Sequence, residues 1–282
     1  MKNLNSFNGN THTFLDDIIA SKRNSQRDPD YKERVSLLIP NIKLLYNNYN
    51  IIHHTNNHIS LITHGYLNID KNDLLKLYSS KNKKLVVFKN RATTTLDNRA
   101  SNVCQYCTIN SVNTLDHIVP KNEFPEFSVN PKNLLPACSE CNSYKLDNWR
   151  FNNQRLFLNL YTDILPQEQY LFADITVNSP DIVVRFRLSN MNGIDINLYS
   201  LIESHFTKLY LLNRFNLKSN DIISELINSI NASKLKLNKF DTVELIQAKI
   251  NADKILFGNN YFKSILEETL INNNAFIDSF FV

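Results

Sequence analysis

Four cysteines, arranged as two CxxC pairs, are the residues of this chain whose spacing most clearly predicts chemistry. The first pair is Cys104-Gln-Tyr-Cys107 and the second is Cys138-Ser-Glu-Cys141, with 30 residues between them. One CxxC turn presents two thiolates to a tetrahedral ion, so two such turns complete a closed zinc shell. A redox CxxC needs only one pair and leaves the other unexplained. We therefore predict a structural zinc ion with no coordination position open for catalysis.

The segment between and just after these pairs contains polar residues in a recognisable order. Asp116-His117-Ile-Val-Pro lies inside, followed by Asn133-Leu-Leu-Pro-Ala, and Asn142 and Lys145 follow the second pair. The elements CxxC, DHIxP and NLxPxCxxCNxxK, in this order, resemble the zinc-bearing subgroup of the HNH endonuclease family. The resemblance in these motifs covers residues 104 to 145.

The resemblance implies a two-stranded hairpin and a helix that together hold one magnesium-type ion. His117 matches the family's general base, and Asn133 matches the asparagine that holds the intervening loop. Asp116 and Asn142 match the two metal-ligand positions. Asn142 occupies the position of the last of the three residues that give the family its name, which is a histidine in the name. An amide oxygen at that position suits Mg²⁺ or Mn²⁺ better than Zn²⁺ or Ni²⁺.

The same residues fit phosphodiester hydrolysis on chemical grounds alone. A neutral imidazole such as that of His117 can take a proton from water near pH 7. A divalent ion supplies positive charge at the phosphorus and at the leaving 3′-oxygen. In a strand, Asp116 and His117 point to opposite faces. Both serve one site only if the strand is bulged or if the phosphate lies across the strand end, and the sequence leaves these alternatives open.

Cations before and after this segment are candidates for substrate contact. Lys145 shares a helix face with Asn142, and it either contacts the substrate phosphate or is a solvated surface lysine. The upstream basic run either follows a phosphate backbone or forms a solvated face. The run comprises Lys81, Lys83, Lys84, Lys89, Arg91 and Arg99. From it we take Lys89, Arg91 and Arg99 as candidate substrate-binding residues.

The net charge of +4 is distributed unevenly along the chain. Residues 1–103 contain 15 Lys and Arg against 8 Asp and Glu, which gives +7, and the remainder is therefore −3. A basic front predicts that the N-terminal part holds a polyanion such as nucleic acid. A charged surface without a partner is the alternative.

The patterns on either side of the module predict mostly helices. Apolar residues recur at helical spacing in the N-terminal part, in residues 70–80 and in residues 197–217, and two or three more helices fill residues 219–272. Pro40 predicts two short helices or one kinked helix. Residues 85–88 fit a short strand and residues 89–102 a linker or loop, whereas residues 182–188 alternate as in a half-buried strand.

We therefore predict an α+β protein. A small ββα-metal core, held together by the four-cysteine zinc site, is flanked by mainly helical N- and C-terminal regions. The predicted regions are a basic N-terminal region (1–95), the module (96–150) and an α+β to helical C-terminal region (151–282). The apolar C-terminal sequence FIDSFFV is expected to dock on the fold or on a partner.

Composition and targeting signals predict a cytoplasmic protein. Hydrophobic residues make up 43% and charged residues 21% of the chain, which excludes wholesale disorder. No run approaches the roughly 18 apolar residues that a membrane span needs. The N-terminal sequence lacks the apolar core of a signal peptide.

The leading hypothesis is a metal-dependent endonuclease that acts on DNA rather than RNA, although no residue distinguishes the two. A non-catalytic zinc module that binds nucleic acid or protein is the alternative from another class. The flanking regions contain no recognisable DNA-reading motif, which favours targeting by a protein partner, such as an ATPase, or by homo-oligomerisation. This arrangement resembles bacterial anti-phage defence nucleases of the Septu type.

Overall fold

The computed structural model describes residues 1–23, 26–93, 102–178 and 181–281. Contacts within the chain divide it into two units. The first, here called the hairpin unit, comprises Asn3–Tyr106 and Asn110–Ile164. The second, here called the C-terminal unit, comprises Met1–Lys2, Cys107–Ile109 and Leu165–Val282. Most of the predicted N-terminal region and most of the predicted module therefore share one unit.

Four helices lie in the N-terminal part of the hairpin unit. They are α1 (Thr11–Ala20), α2 (Tyr31–His54), α3 (Asn68–Leu77) and α4 (Lys83–Ala92). Helix α2 continues through Pro40, so of the two predicted alternatives the division into two short helices is wrong and a single helix forms. Pro40 is exposed, and apolar residues on the opposite face, among them Val35 and Ile42, are buried on both sides of it. Their packing offsets the hydrogen bond that the proline removes.

The predicted strand at residues 85–88 is also wrong, because these residues form the middle of α4. Asn82 caps the helix by accepting a hydrogen bond from the Lys84 N–H, at 2.8 Å. Leu85 and Phe88 are three residues apart and both buried, which gives α4 one apolar face. Four residues are too few for periodicity to separate a strand from a helix.

A hairpin and a short helix follow in the same unit. Strand β1 (Thr114–His117) pairs antiparallel with β2 (Leu134–Ala137), and α5 (Ser139–Lys145) begins two residues after β2. The loop between the strands contains two short 3₁₀ turns, Pro125–Phe127 and Pro131–Asn133. A second hairpin, β3 (Arg150–Phe151) with β4 (Gln154–Arg155), comes next.

The C-terminal unit packs helices against one antiparallel hairpin. Its strands are β5 (Leu171–Asn178) and β6 (Asp181–Leu188), so the predicted strand at residues 182–188 is confirmed. Its helices are α6 (Ile196–Lys208), α7 (Leu211–Ser233), α8 (Lys239–Phe257), α9 (Phe262–Ile271) and α10 (Asn274–Ile277). The helical pattern of residues 197–217 is interrupted at Tyr210, whose φ of 54° lies in the left-handed region. Phe276 and Ile277 of the apolar C-terminal sequence are buried.

The described parts of the chain thus mix helices with small sheets, as the predicted α+β class requires. Within these parts, no helix combines the length and the apolar character that a membrane span needs.

Candidate active site and cysteine cluster

The candidate site is built on the β1–β2 hairpin and on α5. In the antiparallel register, Asp116 lies opposite Leu135 and His117 lies opposite Leu134. All four residues of β2 are buried, and this apolar strand supports β1 from one side. Helix α5 packs against β1. The structure therefore has the ββα order that the sequence predicts for residues 114–145.

The four cysteines are close together and buried, and no disulfide joins them. Their sulfur atoms all lie within 4.8 Å of one another. A tetrahedral zinc ion with Zn–S bonds of about 2.3 Å places its sulfur ligands about 3.8 Å apart, so the cluster fits this ion. Two sulfurs already accept backbone hydrogen bonds of 3.4 Å, from Ile109 to Cys107 and from Cys141 to Cys138. The second bond caps α5 at its N-terminus, so the cysteine cluster also fixes the start of the helix.

Asp116 is directed to the buried side of the hairpin, where it meets two hydrogen-bond donors. Its side chain is 2% exposed. The Tyr106 hydroxyl donates to Oδ2 at 3.1 Å, and the Lys145 ammonium lies 3.3 Å from the same oxygen. Burial raises the pKa of the Asp116 carboxyl, while Lys145 and Tyr106 act in the opposite direction. The carboxylate therefore depends on Lys145 and Tyr106 for compensation of its charge.

The ring of His117 has a different set of neighbours. It packs edge-on against Tyr78, with ring centroids 4.7 Å apart. Nε2 lies 2.9 Å from the Ser128 carbonyl oxygen. A carbonyl oxygen only accepts, so Nε2 carries the proton and Nδ1 of the neutral ring holds a free lone pair. Nδ1 has no hydrogen-bond partner among the described residues.

Electrostatics favour the neutral form of His117. Burial lowers its pKa from 6.5 to about 3, and the Ser128 carbonyl acts in the opposite direction. At neutral pH the imidazole is uncharged, which is the form able to accept a proton. Any positive charge formed on the ring is stabilised by the same carbonyl.

Asn133 joins the two ends of the loop between β1 and β2. Its amide nitrogen donates to the carbonyls of Val119, at 3.0 Å, and Phe127, at 3.1 Å. Its amide oxygen accepts from the Val119 N–H at 2.8 Å and from the Tyr49 hydroxyl at 3.0 Å. Asn133 is fully buried and its side-chain amide has all its partners. These bonds hold the loop that contains Ser128, the partner of His117.

The remaining predicted site residues differ in burial and in their distance along the chain from the hairpin. Asn142 is partly exposed on α5, and its side-chain amide makes no hydrogen bond within the described ranges, so its oxygen is available to a ligand. Lys145, one turn later, is 1% exposed and bonds to Asp116 and to the His117 carbonyl rather than facing solvent. Lys89 and Arg91 lie on α4. Arg99 falls outside the described residues.

Tyr106, Tyr78, Ser128 and Tyr49 complete the site and were not predicted from the sequence. Tyr106 had a local signal, because it lies between the two cysteines of the first pair. The other three contact the site from α2, from the residue after α3 and from the long loop. These are tertiary contacts, for which sequence spacing gives no signal.

Comparison with known proteins agrees with this geometry. Residues 104–148 match the family model described as HNH endonuclease, which identifies an HNH endonuclease domain there. Protein ea31 of Escherichia phage lambda is 26% identical over 189 residues, which cover 61% of this chain and 62% of ea31. The chain thus spans less than two thirds of that relative's length. No solved structure matches the chain. The family to which this model belongs is one of endonucleases, which act on nucleic acid.

Proposed function

We propose that the chain is a metal-dependent HNH endonuclease that hydrolyses phosphodiester bonds of DNA, with His117 as the general base. The observation that carries this proposal is the hydrogen bond from His117 Nε2 to the Ser128 carbonyl. This bond fixes the tautomer in which Nδ1 has a free lone pair, and it does so within an HNH domain. A merely structural histidine would gain from having both nitrogens satisfied.

His117 would take a proton from the attacking water at Nδ1. The water oxygen forms a bond to phosphorus as the bond from phosphorus to the 3′-oxygen breaks, and the leaving oxygen takes up a proton from solvent. The resulting imidazolium is stabilised by the Ser128 carbonyl, which accepts the hydrogen bond from Nε2. General-base catalysis of this kind contributes about 10²- to 10⁴-fold to the rate.

The oxygens of Asp116 and Asn142 are the donors that would hold a divalent ion such as Mg²⁺ or Mn²⁺. A carboxylate has about four lone-pair positions, and the bonds from Tyr106 and Lys145 leave acceptor capacity on Asp116. Carboxylate and amide oxygens are ligands that hard cations prefer. When bound, such an ion supplies positive charge to the phosphate and the leaving oxygen.

A non-catalytic zinc module is favoured by one observation, the burial of Asp116. Its carboxylate is 2% exposed and already bonded to two side chains, as expected of a structural residue. A binding module of this kind would retain its function after loss of His117.

Plasmid nicking with Mg²⁺ or Mn²⁺ tests the proposal. Wild-type protein should relax supercoiled DNA, and His117→Ala should reduce the rate by about 10²- to 10⁴-fold. His54→Ala is the matched control, because His54 is an exposed histidine on α2. Equal rates for wild type and His117→Ala would refute the general-base role. Labelled RNA of the same sequence, incubated in parallel, should be cleaved more slowly than DNA.

A further inference from the structure

A cleft in the hairpin unit lies between the N-terminal segment, α1 and α4. Its volume is about 520 Å³, a size typical of ligand pockets. Three groups of side chains line it: aromatic rings, amides and cations. The lining includes Phe7, Phe14, Phe88, Asn5, Asn8 and Arg91. The proposed chemistry of His117 uses none of these residues.

The aromatic wall of the cleft is a packed cluster of three rings. Phe14 contacts Phe7 with centroids 5.4 Å apart and Phe88 with centroids 5.8 Å apart, both edge to face. Phe88 is buried, whereas Phe7 and Phe14 are half-buried and keep part of their rings open. An unstacked nucleobase packs favourably on such a ring, whatever its identity.

The charge of the cleft favours a polyanion. Helix α4 contains four cations, Lys83, Lys84, Lys89 and Arg91, and no acidic residue. The acidic residue in the lining, Asp17, is paired with Lys84 at 2.7 Å. Arg91 is exposed and has no ion pair with the described part of the chain. A guanidinium beside aromatic rings and exposed asparagine amides can bind the phosphate of a nucleotide whose base lies in the cleft.

Helix α4 also connects the cleft to the candidate active site. The Lys89 ammonium donates to the Asn113 carbonyl at 3.5 Å, and β1 begins at the next residue, Thr114. A ten-residue helix is about 15 Å long. The cleft and the catalytic strand therefore contact the same short helix, at a separation that a few nucleotides of one strand can span.

We propose that this cleft binds an unstacked nucleotide of single-stranded nucleic acid, with its base against Phe7 and Phe14 and its phosphate on Arg91. The inference rests on the proposed nuclease function and adds a preference for strands with unpaired bases close to the cleavage site. A paired base inside a duplex does not expose the face that the rings would contact.

Fluorescence anisotropy with a short labelled single-stranded oligonucleotide and its duplex tests this assignment. Binding is measured in the His117→Ala background, so that the strand stays intact. Phe7→Leu keeps the apolar volume but removes the aromatic face, and it should weaken single-strand binding about tenfold with little effect on the duplex. Arg91→Gln should weaken it several-fold and reduce the salt dependence by about one phosphate contact. Thermal melting checks that both variants are folded.

Lys83→Gln is the control for Arg91→Gln, because Lys83 is an exposed cation of α4 outside the cleft lining. It should reduce binding to single strand and duplex equally. Single-strand affinities of Phe7→Leu and Arg91→Gln within twofold of the parent would overturn the assignment, as expected if the cleft instead seats a protein. In that case, plasmid nicking by protein that retains His117 would still support the proposed nuclease function. Absence of both nicking and all oligonucleotide binding would remove both proposals.

Discussion

The ammonium of Lys145 lies 3.3 Å from a carboxylate oxygen of Asp116, and both side chains are almost fully buried. The same ammonium donates to the His117 carbonyl at 2.5 Å. Lys145 ends α5, whereas Asp116 and His117 end β1. One cation therefore fixes the helix that carries Asn142 to the strand that carries the candidate base.

Replacing Lys145 by methionine should destabilise the protein by about 3–5 kcal/mol, because the Asp116 carboxylate is then buried without a counter-charge. Urea denaturation followed by circular dichroism measures the change. Lys83→Met, on an exposed face of α4, should stay within about 0.5 kcal/mol of wild type.

The double variant Lys145→Met/Asp116→Asn should lose less stability than the two single variants together, because the unpaired charge is absent. Additive losses would show that the two groups do not interact in solution and that Asp116 is buried in its neutral form.

Loss of the Asn133 amide should impair catalysis through the loop. Asn133→Ala leaves buried groups of Val119, Phe127 and Tyr49 without their partner, at about 1–3 kcal/mol for each unsatisfied group. The loop then no longer holds the Ser128 carbonyl against His117. We expect a lower kcat with a smaller change in KM, measured by nicking kinetics.

Tyr49→Phe is the milder companion to Asn133→Ala. It removes one of the four hydrogen bonds of the Asn133 amide and should cost about 1 kcal/mol of stability with little loss of kcat. If Asn133→Ala reduced kcat no more than Tyr49→Phe, the loop would not position His117.

Because Glu126 is buried, the free energy of unfolding of the hairpin unit should fall as pH rises. Burial raises the pKa of its carboxyl from 4.5 to about 7, and neither oxygen has a side-chain partner among the described residues. The folded state therefore keeps a proton that the unfolded state releases above pH 4.5. The resulting loss develops between about pH 4.5 and 7 and amounts to about 3 kcal/mol.

Glu126→Gln removes this titration. Buried His53, His58 and His117 have lowered pKa values and titrate in the opposite sense, so the informative quantity is the difference between variant and wild type. In urea unfolding, that difference should favour the variant more at pH 8 than at pH 5. A pH-independent difference would mean that the carboxyl ionises normally.

Removal of zinc should inactivate the protein even when Mg²⁺ is abundant. The Cys138 sulfur caps α5, and Asn142 follows one turn later. Chelation under reducing conditions should release one zinc ion per chain, and Cys138→Ser should bind less zinc than wild type. Both changes should lower the melting temperature and the nicking rate. Full activity of zinc-free protein in Mg²⁺ would contradict this coupling.

Local sequence patterns predicted the parts of the site that are close in the chain. The cysteine cluster follows from the spacing of the two CxxC pairs, because metal ligands obey fixed local geometry. The β1–β2–α5 order was implied by the resemblance of residues 104–145 to the HNH family. Lys145 was a candidate for substrate contact, since the sequence does not show which face of a seven-residue helix is buried.

The remaining contacts could not be predicted because they depend on long-range packing. Tyr49 bonds to Asn133 across 84 residues, and Ser128 bonds to the Leu74 carbonyl across 54. The Leu85–Phe88 segment shows the same limit, because its β-favouring valines are overridden by burial of Leu85 and Phe88 on one helical face.

Tyr106 lies between two of the cysteines and donates its hydroxyl to Asp116. In the proposed nuclease, zinc bound by the four thiolates would order the turn that aims this tyrosine. A freshly synthesised polypeptide without the ion would not yet orient the Asp116 carboxylate. Such a polypeptide is expected to leave the cell's own chromosome uncut until it has been metallated. Zinc loading would then act as a maturation checkpoint, with no inhibitor protein required during synthesis.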